Sequence, residues 1–185
     1  MSKGWFVTPG RGGDRTLEQQ LRGLEPAFDY ARDGVVLDVG CAEALITMEF
    51  LRRGAREAFG VEKIADHLRV AEEIRNKEGL RLSLLNADAN YWDPTDYSPH
   101  GGFDVVLLLA ILHKLKDPTA AAKRYGAVAK SLCVVRLPAT GEVIRDERSG
   151  YVPHDIGAAM ASVGLSLIDV VHGTHDEWIG YYARG

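Results

Sequence analysis

VVLDVGCAEALITMEF, running from Val35 to Phe50, changes its periodicity in mid-course. Val35 to Val39 is apolar and β-branched, interrupted only by Asp38. Gly40 follows, and within a few residues Leu45, Met48 and Leu51 fall on one side of a helical repeat. A buried strand that feeds a tight turn and then a helix is the usual cradle for a nucleotide-like ligand. Gly40 permits a turn where a side chain would crowd that ligand. The N–H groups from Cys41 to Ala44 are expected to point at its polar groups, and Asp38, at the strand's carboxyl end, either orders the turn or meets a ligand amine. The plain alternative is a capped helix after a strand, with no ligand. Neither a G-x-G-x-x-G fingerprint nor a G-K-[ST] phosphate loop occurs, so NAD and ATP have little support.

Working outward, the chain has 185 residues, enough for one domain with a substantial core. A hydrophobic fraction of 46% is ordinary for a globular protein, and a net charge of -4 gives no whole-chain attraction for nucleic acid. The two cysteines, Cys41 and Cys133, lie in or beside apolar runs and read as buried free thiols. There is no basic N-terminal region followed by an apolar stretch, and the run Val105–Leu112 is too short to span a bilayer. The expectation is a cytoplasmic protein with no membrane or metal partner.

Alternating strand and helix patterns fill the rest of the chain. Residues 1–13 read as a turn or loose arm that Trp5 and Phe6 pin down. Arg15 to Arg32 reads as helix, with Asp14 at its start and a kink or restart at Pro26. Strands are expected at Val35–Val39, Glu57–Glu62, Leu82–Asn86, Phe103–Leu109, Leu132–Leu137, Leu165–Val171 and Trp178–Ala183. Helices are expected at Glu43–Arg53, Ile64–Lys77, Pro118–Lys130 and Ile156–Ser162. Such alternation implies right-handed crossovers around a mostly parallel sheet with helices on both faces. Gly173 to Glu177 leaves no room for a helix, so the last two strands should pair antiparallel.

The polar residues that end these strands are the candidates for chemistry. Glu62 lies about twenty residues beyond the glycine turn, where a carboxylate can accept from both hydroxyls of a ribose. Asp88, in Asn86-Ala87-Asp88-Ala89, is placed to accept from an adenine amine with Ala89 beside the ring, or else belongs to an ordinary loop. Ile64 and Ala65 read as an adenine cover or as core. His113, after the fourth strand, is either a proton acceptor facing cofactor and substrate or a structural histidine. Lys114 either favours an acidic substrate or is simply solvated. Arg136 is positioned to anchor an anion. The segment Pro138–Gly150, with Arg145, Asp146, Glu147 and Arg148 and then Tyr151 and His154, reads as a flap over the substrate or as a mixed-charge surface loop. His172, His175 and Asp176 lie in a short connection and make a poor metal site.

Taken together, these motifs resemble the class I methyltransferases that use S-adenosylmethionine. VLDVGCAEA is similar to the family's first motif, GVE ending at Glu62 to its ribose position, NAD ending at Asp88 to its adenine-side acid, and FDVVLLLAILHKLKDP to its fourth-strand motif. The resemblance covers Gly34 to the C-terminus. It implies a Rossmann-like, seven-stranded α/β sheet, mostly parallel with an antiparallel last strand, and divides the chain into an N-terminal arm and helical cap (1–33) and an S-adenosylmethionine-binding domain (34–185). It implies that Asp38 and Gly40 help hold the methionine portion, Glu62 the ribose and Asp88 the adenine, with Cys41, Ala42, Lys63, Ala89 and Leu109 also against the cofactor; His113 is the catalytic candidate, at a position that in the family more often shapes the pocket. The implied reaction is direct methyl transfer, and the protein's task is to align donor and acceptor and exclude water.

Two departures stand out from the family pattern. Ala42 and Ala44 occupy positions where it has glycine; a C-A-E-G variant is familiar, which makes Ala44 the larger departure. The N-P-P-[YF] signature of adenine and amide N-methylating members is absent. No long inserted domain is present, so a small acceptor is expected, with a protein or RNA acceptor as the other reading. Trp5, Phe6 and Trp92 are candidate covers for it, and each reads equally as core. The rival function is a noncatalytic binding or assembly module of the same fold, motivated by Ala44. A nicotinamide-dependent oxidoreductase is a weaker third.

Overall fold

A computed structural model of the chain describes residues 4–6, 13–97, 101–138, 153–174 and 177–185. The turn at Thr8–Gly10, the expected flap beyond Pro138, Tyr151, His175 and Asp176 lie outside these residues, as do the side chains of Trp5, Phe6 and His154.

Seven strands form the central sheet. In chain order they are β3 (Val35–Val39), β4 (Glu57–Glu62), β5 (Leu82–Asn86), β6 (Phe103–Leu109), β7 (Ala129–Leu137), β8 (Leu165–His172) and β9 (Trp178–Arg184). Their order across the sheet is β5-β4-β3-β6-β7-β9-β8. The first five are parallel, and β9 runs antiparallel to both β7 and β8. This is the Rossmann-like methyltransferase sheet the sequence implies. Every residue of β3 is buried, and so are all but one of β6. Only a strand covered on both faces can be apolar throughout, which is why these two were legible.

The helices are α1 (Leu17–Leu21), α2 (Glu25–Tyr30), α3 (Leu45–Arg52), α4 (Ala65–Glu78), α5 (Pro118–Ala127) and α6 (Pro153–Ala161). One core, on one face of the sheet, takes Ala27, Phe28, Met48, Phe50 and Leu68 from α2, α3 and α4. The other takes Ala122, Tyr125, Ile156 and Met160 from α5 and α6. Full burial of such side chains stabilises by roughly 1.5–3 kcal/mol each, so the two layers supply the main cohesive energy.

Several boundaries differ from the sequence reading. Gly4–Phe6 and Gly13–Arg15 form a small parallel pair, β1 and β2, where a loose arm was expected. The restart expected at Pro26 is present, with Pro26 in the first turn of α2 and Gly23 at φ +80 between the two helices. Thr16, not Asp14, caps α1: its hydroxyl accepts from the Gln19 N–H, and the Gln19 side chain accepts from the Thr16 N–H. Helix α5 stops at Ala127 because Ala129 already pairs with Phe103 in the ladder. Sheet pairing there overrides the helix propensity of an alanine-rich stretch.

Candidate functional site

The strand order reverses between β3 and β6, and the carboxyl ends of β3, β4, β5, β6 and β7 surround a cavity at that point. Open α/β sheets bind ligands in this crevice. The cavity measures about 260 Å³, just under the usual range of roughly 300–1,000 Å³ for small-molecule sites. All nine residues expected to hold a cofactor line it: Asp38, Gly40, Cys41, Ala42, Glu62, Lys63, Asp88, Ala89 and Leu109.

The turn after β3 is built from left-handed backbone. Gly40, Ala42 and Ala44 have φ of +76, +49 and +56. A Cβ on Gly40 would sit 2.8 Å from Ile111 Cδ1, so a side chain there would have to displace the end of Ile111 as well as adopt a left-handed φ. The turn's donors are mostly spent inside the protein. Gly40 and Cys41 N–H both donate to the Val61 carbonyl (2.7 and 3.1 Å), Ala44 N–H to the Cys41 carbonyl (2.8 Å), and Ala42 N–H to Glu62 Oε2 (3.1 Å). The expected row of N–H groups aimed at a ligand from Cys41 to Ala44 is therefore not what this turn presents. What it presents is shape.

Glu62 clasps two loops at once: Oε2 accepts from Ala42, and Oε1 accepts from the Ile64 N–H at 2.9 Å. Each oxygen keeps a second lone pair for a ligand hydroxyl. Cys41 is 5% exposed, and its Sγ fills the space over Gly60, where a Cβ would come within 2.8 Å of the sulfur. Asp38 is 3% exposed and accepts a hydrogen bond from the Thr47 hydroxyl. Burial pushes its pKa up to about 6, with the Thr47 bond and the Arg136 charge opposing and Glu62 adding to the rise.

On the β5 side, Asp88 Oδ1 accepts from the Asn90 backbone (2.9 Å) and side chain (2.8 Å). The backbone bond, foremost, holds its carboxyl below the usual range. The Tyr125 hydroxyl donates to the Ala89 carbonyl at 2.7 Å and fixes that loop from behind. Ile64, 44% exposed, offers an apolar wall beside it.

His113 does not line the cavity, whereas Lys114 and Leu115 beside it do. The cause is the 3-10 turn over Leu112–Lys114, which rotates successive side chains by about 120°. The lining therefore lends no support to a proton-acceptor role for His113. Lys114 keeps exposed surface, but desolvation on the cavity side draws its pKa down to about 8, against the pull of Glu62. Trp92 is no substrate cover: it stacks on Tyr125 with ring centroids 6.1 Å apart. Ala44, the larger departure on sequence grounds, is fully buried behind the turn, and Ala42 is the alanine that reaches the cavity.

Arg15, Gln20 and His67 line the wall although they lie outside every motif read from the sequence. Arg15 and Gln20 arrive through contacts more than a hundred residues apart in the chain. His67 stands on the first turn of α4, so the helix start marks its place. Its Nε2 is 3.9 Å from Oε1 of Glu43, which is fully buried. Ala110 has φ +53, so three of the described non-glycine left-handed residues border this one site or its turn. Among the described residues no group of three or more His, Cys, Asp or Glu is arranged to hold a metal, and no helix is long and apolar enough to cross a membrane.

A family model for a methyltransferase domain matches residues 36–131. Magnesium protoporphyrin IX methyltransferase from Synechocystis PCC 6803, solved with bound SAM, superposes with a TM-score of 0.71 at 14% identity, over 91% of this chain and 80% of that one. A SAM-dependent methyltransferase from Aquifex aeolicus gives 0.67 at 16%, over 91% and 93%. The [4+2]-cyclase SpnF gives 0.69 at 14%, over 98% and 86%. No curated protein matches in sequence. The chain belongs to the class I S-adenosylmethionine-dependent methyltransferase family.

Proposed function

We propose that this protein binds S-adenosylmethionine in the switch-point cavity and transfers its methyl group to a small-molecule acceptor. The observation that carries the reading is the convergence of Asp38, Glu62 and Asp88, from three different strands, on one cavity beside the Gly40 bend. The residues present suit the cofactor. Glu62 would accept from the ribose hydroxyls, Asp88 from the adenine amine, and Ile64 and Leu109 would cover the base. Asp38, with Gly40, Cys41 and Ala42, would hold the methionine end. When bound, the cofactor supplies an electrophilic methyl group on a sulfonium.

The chain's own contribution is alignment and exclusion of water. A turn that satisfies its own donors is rigid, and rigidity is what alignment requires. Solved relatives of this fold that bind SAM or SAH support the cofactor assignment. Ala44, the departure that motivates a noncatalytic module, lies outside the cavity wall, which favours the catalytic reading.

Calorimetry with S-adenosylmethionine and S-adenosylhomocysteine tests the reading directly. Micromolar binding of both is expected. No binding by the folded protein at millimolar ligand overturns it. Mass spectrometry of ligand carried through purification gives an independent check.

A further inference from the structure

A second cavity opens at the other end of the sheet. It lies at the amino ends of β4 and β5, measures about 420 Å³ and shares no residue with the cofactor cavity. Arg56 and Glu57 reach it from the start of β4, Arg75 from the last turn of α4, and Arg81 and Ser83 from the start of β5.

Its three arginines differ from those around them. Arg32, Arg52, Arg53 and Arg69 each meet a carboxylate at 2.7–3.3 Å. Among the described residues, Arg56, Arg75 and Arg81 have no carboxylate within 4.0 Å. Two of the three are nonetheless held in place by neutral acceptors. Arg56 Nη1 donates to the Asp33 carbonyl at 3.1 Å. Arg75 Nη1 donates to the Leu82 carbonyl at 3.3 Å, and its Nε and Nη2 donate to Asn76 Oδ1 at 3.1 and 3.0 Å. Carbonyl and amide oxygens orient a guanidinium without neutralising it. Arg81 is exposed, and its side chain makes no hydrogen bond among the described residues.

The charges in this wall do not cancel. Three guanidinium groups against the Glu57 carboxylate leave two positive charges in excess. The flanking acids Glu78 and Glu73 are taken up by Arg52 and Arg69. Asp33 is exposed and outside the wall. The carboxyl end of α4 brings about half a negative charge nearby, and Lys77 in its last turn more than offsets it. Like charges gathered in one cleft repel one another, and a bound anion removes that cost. A phosphate monoester carries nearly two negative charges at neutral pH and three acceptor oxygens. Forked guanidinium donors match those oxygens, and Ser83 adds a hydroxyl. A long polyanion is the poorer match, because the cleft has the volume of a small-molecule site and the whole chain carries a net charge of -4.

We infer that this cleft is a second ligand site, which takes the phosphate group of a small phosphorylated molecule on Arg56, Arg75, Arg81 and Ser83. The inference is independent of the methyltransferase reading.

The test titrates isotope-labelled protein with phenyl phosphate, and with benzoate as the monoanionic control at the same ionic strength, while amide chemical shifts are followed. Phenyl phosphate should bind at least about tenfold more tightly than benzoate. Its shifts should centre on residues 80–83 and leave Gly40, Cys41 and Ala42 still. Arg75→Gln and Arg81→Gln should each weaken binding about tenfold. Arg81 makes no internal contact, so that variant probes the site without disturbing the fold. Glu57→Gln removes the one carboxylate of the wall and should tighten binding about threefold or more. Arg22→Gln, at an exposed arginine outside the cleft, should change nothing. No binding at millimolar phenyl phosphate, shifts at the Gly40 turn instead, an equal loss in Arg22→Gln, or no gain in Glu57→Gln would each overturn the inference. A short DNA duplex that binds more tightly than phenyl phosphate, and is lost with Arg81→Gln, would overturn the assignment to a small molecule.

Discussion

Replacing Ala42 by glycine should stabilise this protein, against the usual direction of such a change. Ala42 sits at φ +49 and Ala44 at φ +56. Left-handed backbone costs an L-residue roughly 1–2 kcal/mol. Glycine relieves that strain but returns about 0.4–1 kcal/mol of unfolded-state entropy. The methyl group lost is worth about 0.8 kcal/mol when fully buried. Ala42 is only half-buried, so strain relief wins by about half a kcal/mol. Ala44 is fully buried, so its three contributions come close to cancelling. Ala42→Gly should therefore raise the melting temperature by about 1–2 °C in a chain of this length. Ala44→Gly should leave it nearly unchanged, and Ala42→Val should lower it by several degrees, because a branched side chain tolerates this backbone worst. Urea unfolding of the three variants, read as free energies, is the measurement. A loss of ~1 kcal/mol or more in Ala42→Gly, the ordinary penalty for glycine in a regular element, would show that the turn does not hold the left-handed geometry on which the shape of the site depends.

Two further outcomes follow from burial. Asp38 titrates near 6 in the folded chain, against 3.8 for an ordinary aspartate. The folded state then holds a proton the unfolded state gives up, so stability is full below about pH 4 and falls as pH rises through 6. Relative to Asp38→Asn, wild type should lose about 2.4 kcal/mol between pH 4 and pH 7, a difference two urea series can read. A cofactor cation nearby would favour the ionised form, so binding of S-adenosylhomocysteine at pH 6 should release protons, which calorimetry in two buffers of different ionisation enthalpy detects. Burial also pushes both thiols, Cys41 and Cys133, above their usual pKa. Neither should react with a disulfide reagent in the native state over the time that urea-unfolded protein takes to label fully, and prompt labelling of Cys41 would contradict the packing of its sulfur over Gly60.

How far the sequence disclosed all this depended on whether a feature was local. The strands β3 and β6 were legible because burial on both faces leaves a run with no polar alternation. The ends of strands were legible as site positions because crossover topology brings them together whatever the side chains are. Side-chain direction was less legible. His113 and Lys114 are neighbours in sequence, and only the pitch of a three-residue turn decides which one meets the cavity. Ala42 and Ala44 both occupy glycine positions, and only the path of the turn decides which methyl group faces the ligand. The basic wall was the least legible. Arg15 is 162 residues from Glu177, and Arg136 is 116 from Gln20. No periodicity spans such a separation.

Glu62 shows why local and functional readings converged at the cofactor end. Its carboxylate is the clasp between the turn at Ala42 and the start of the following helix at Ile64. The same two oxygens are the ones a ribose would meet. A carboxylate held by two backbone N–H groups is oriented before any ligand arrives. The geometry of the glycine turn and the affinity of the proposed sugar subsite would therefore be one property of the chain, fixed by a single side chain at the end of β4. The basic side of the cavity has no equivalent clasp in local sequence: Gln20 holds Arg136 and Glu177 holds Arg15, each from more than a hundred residues away.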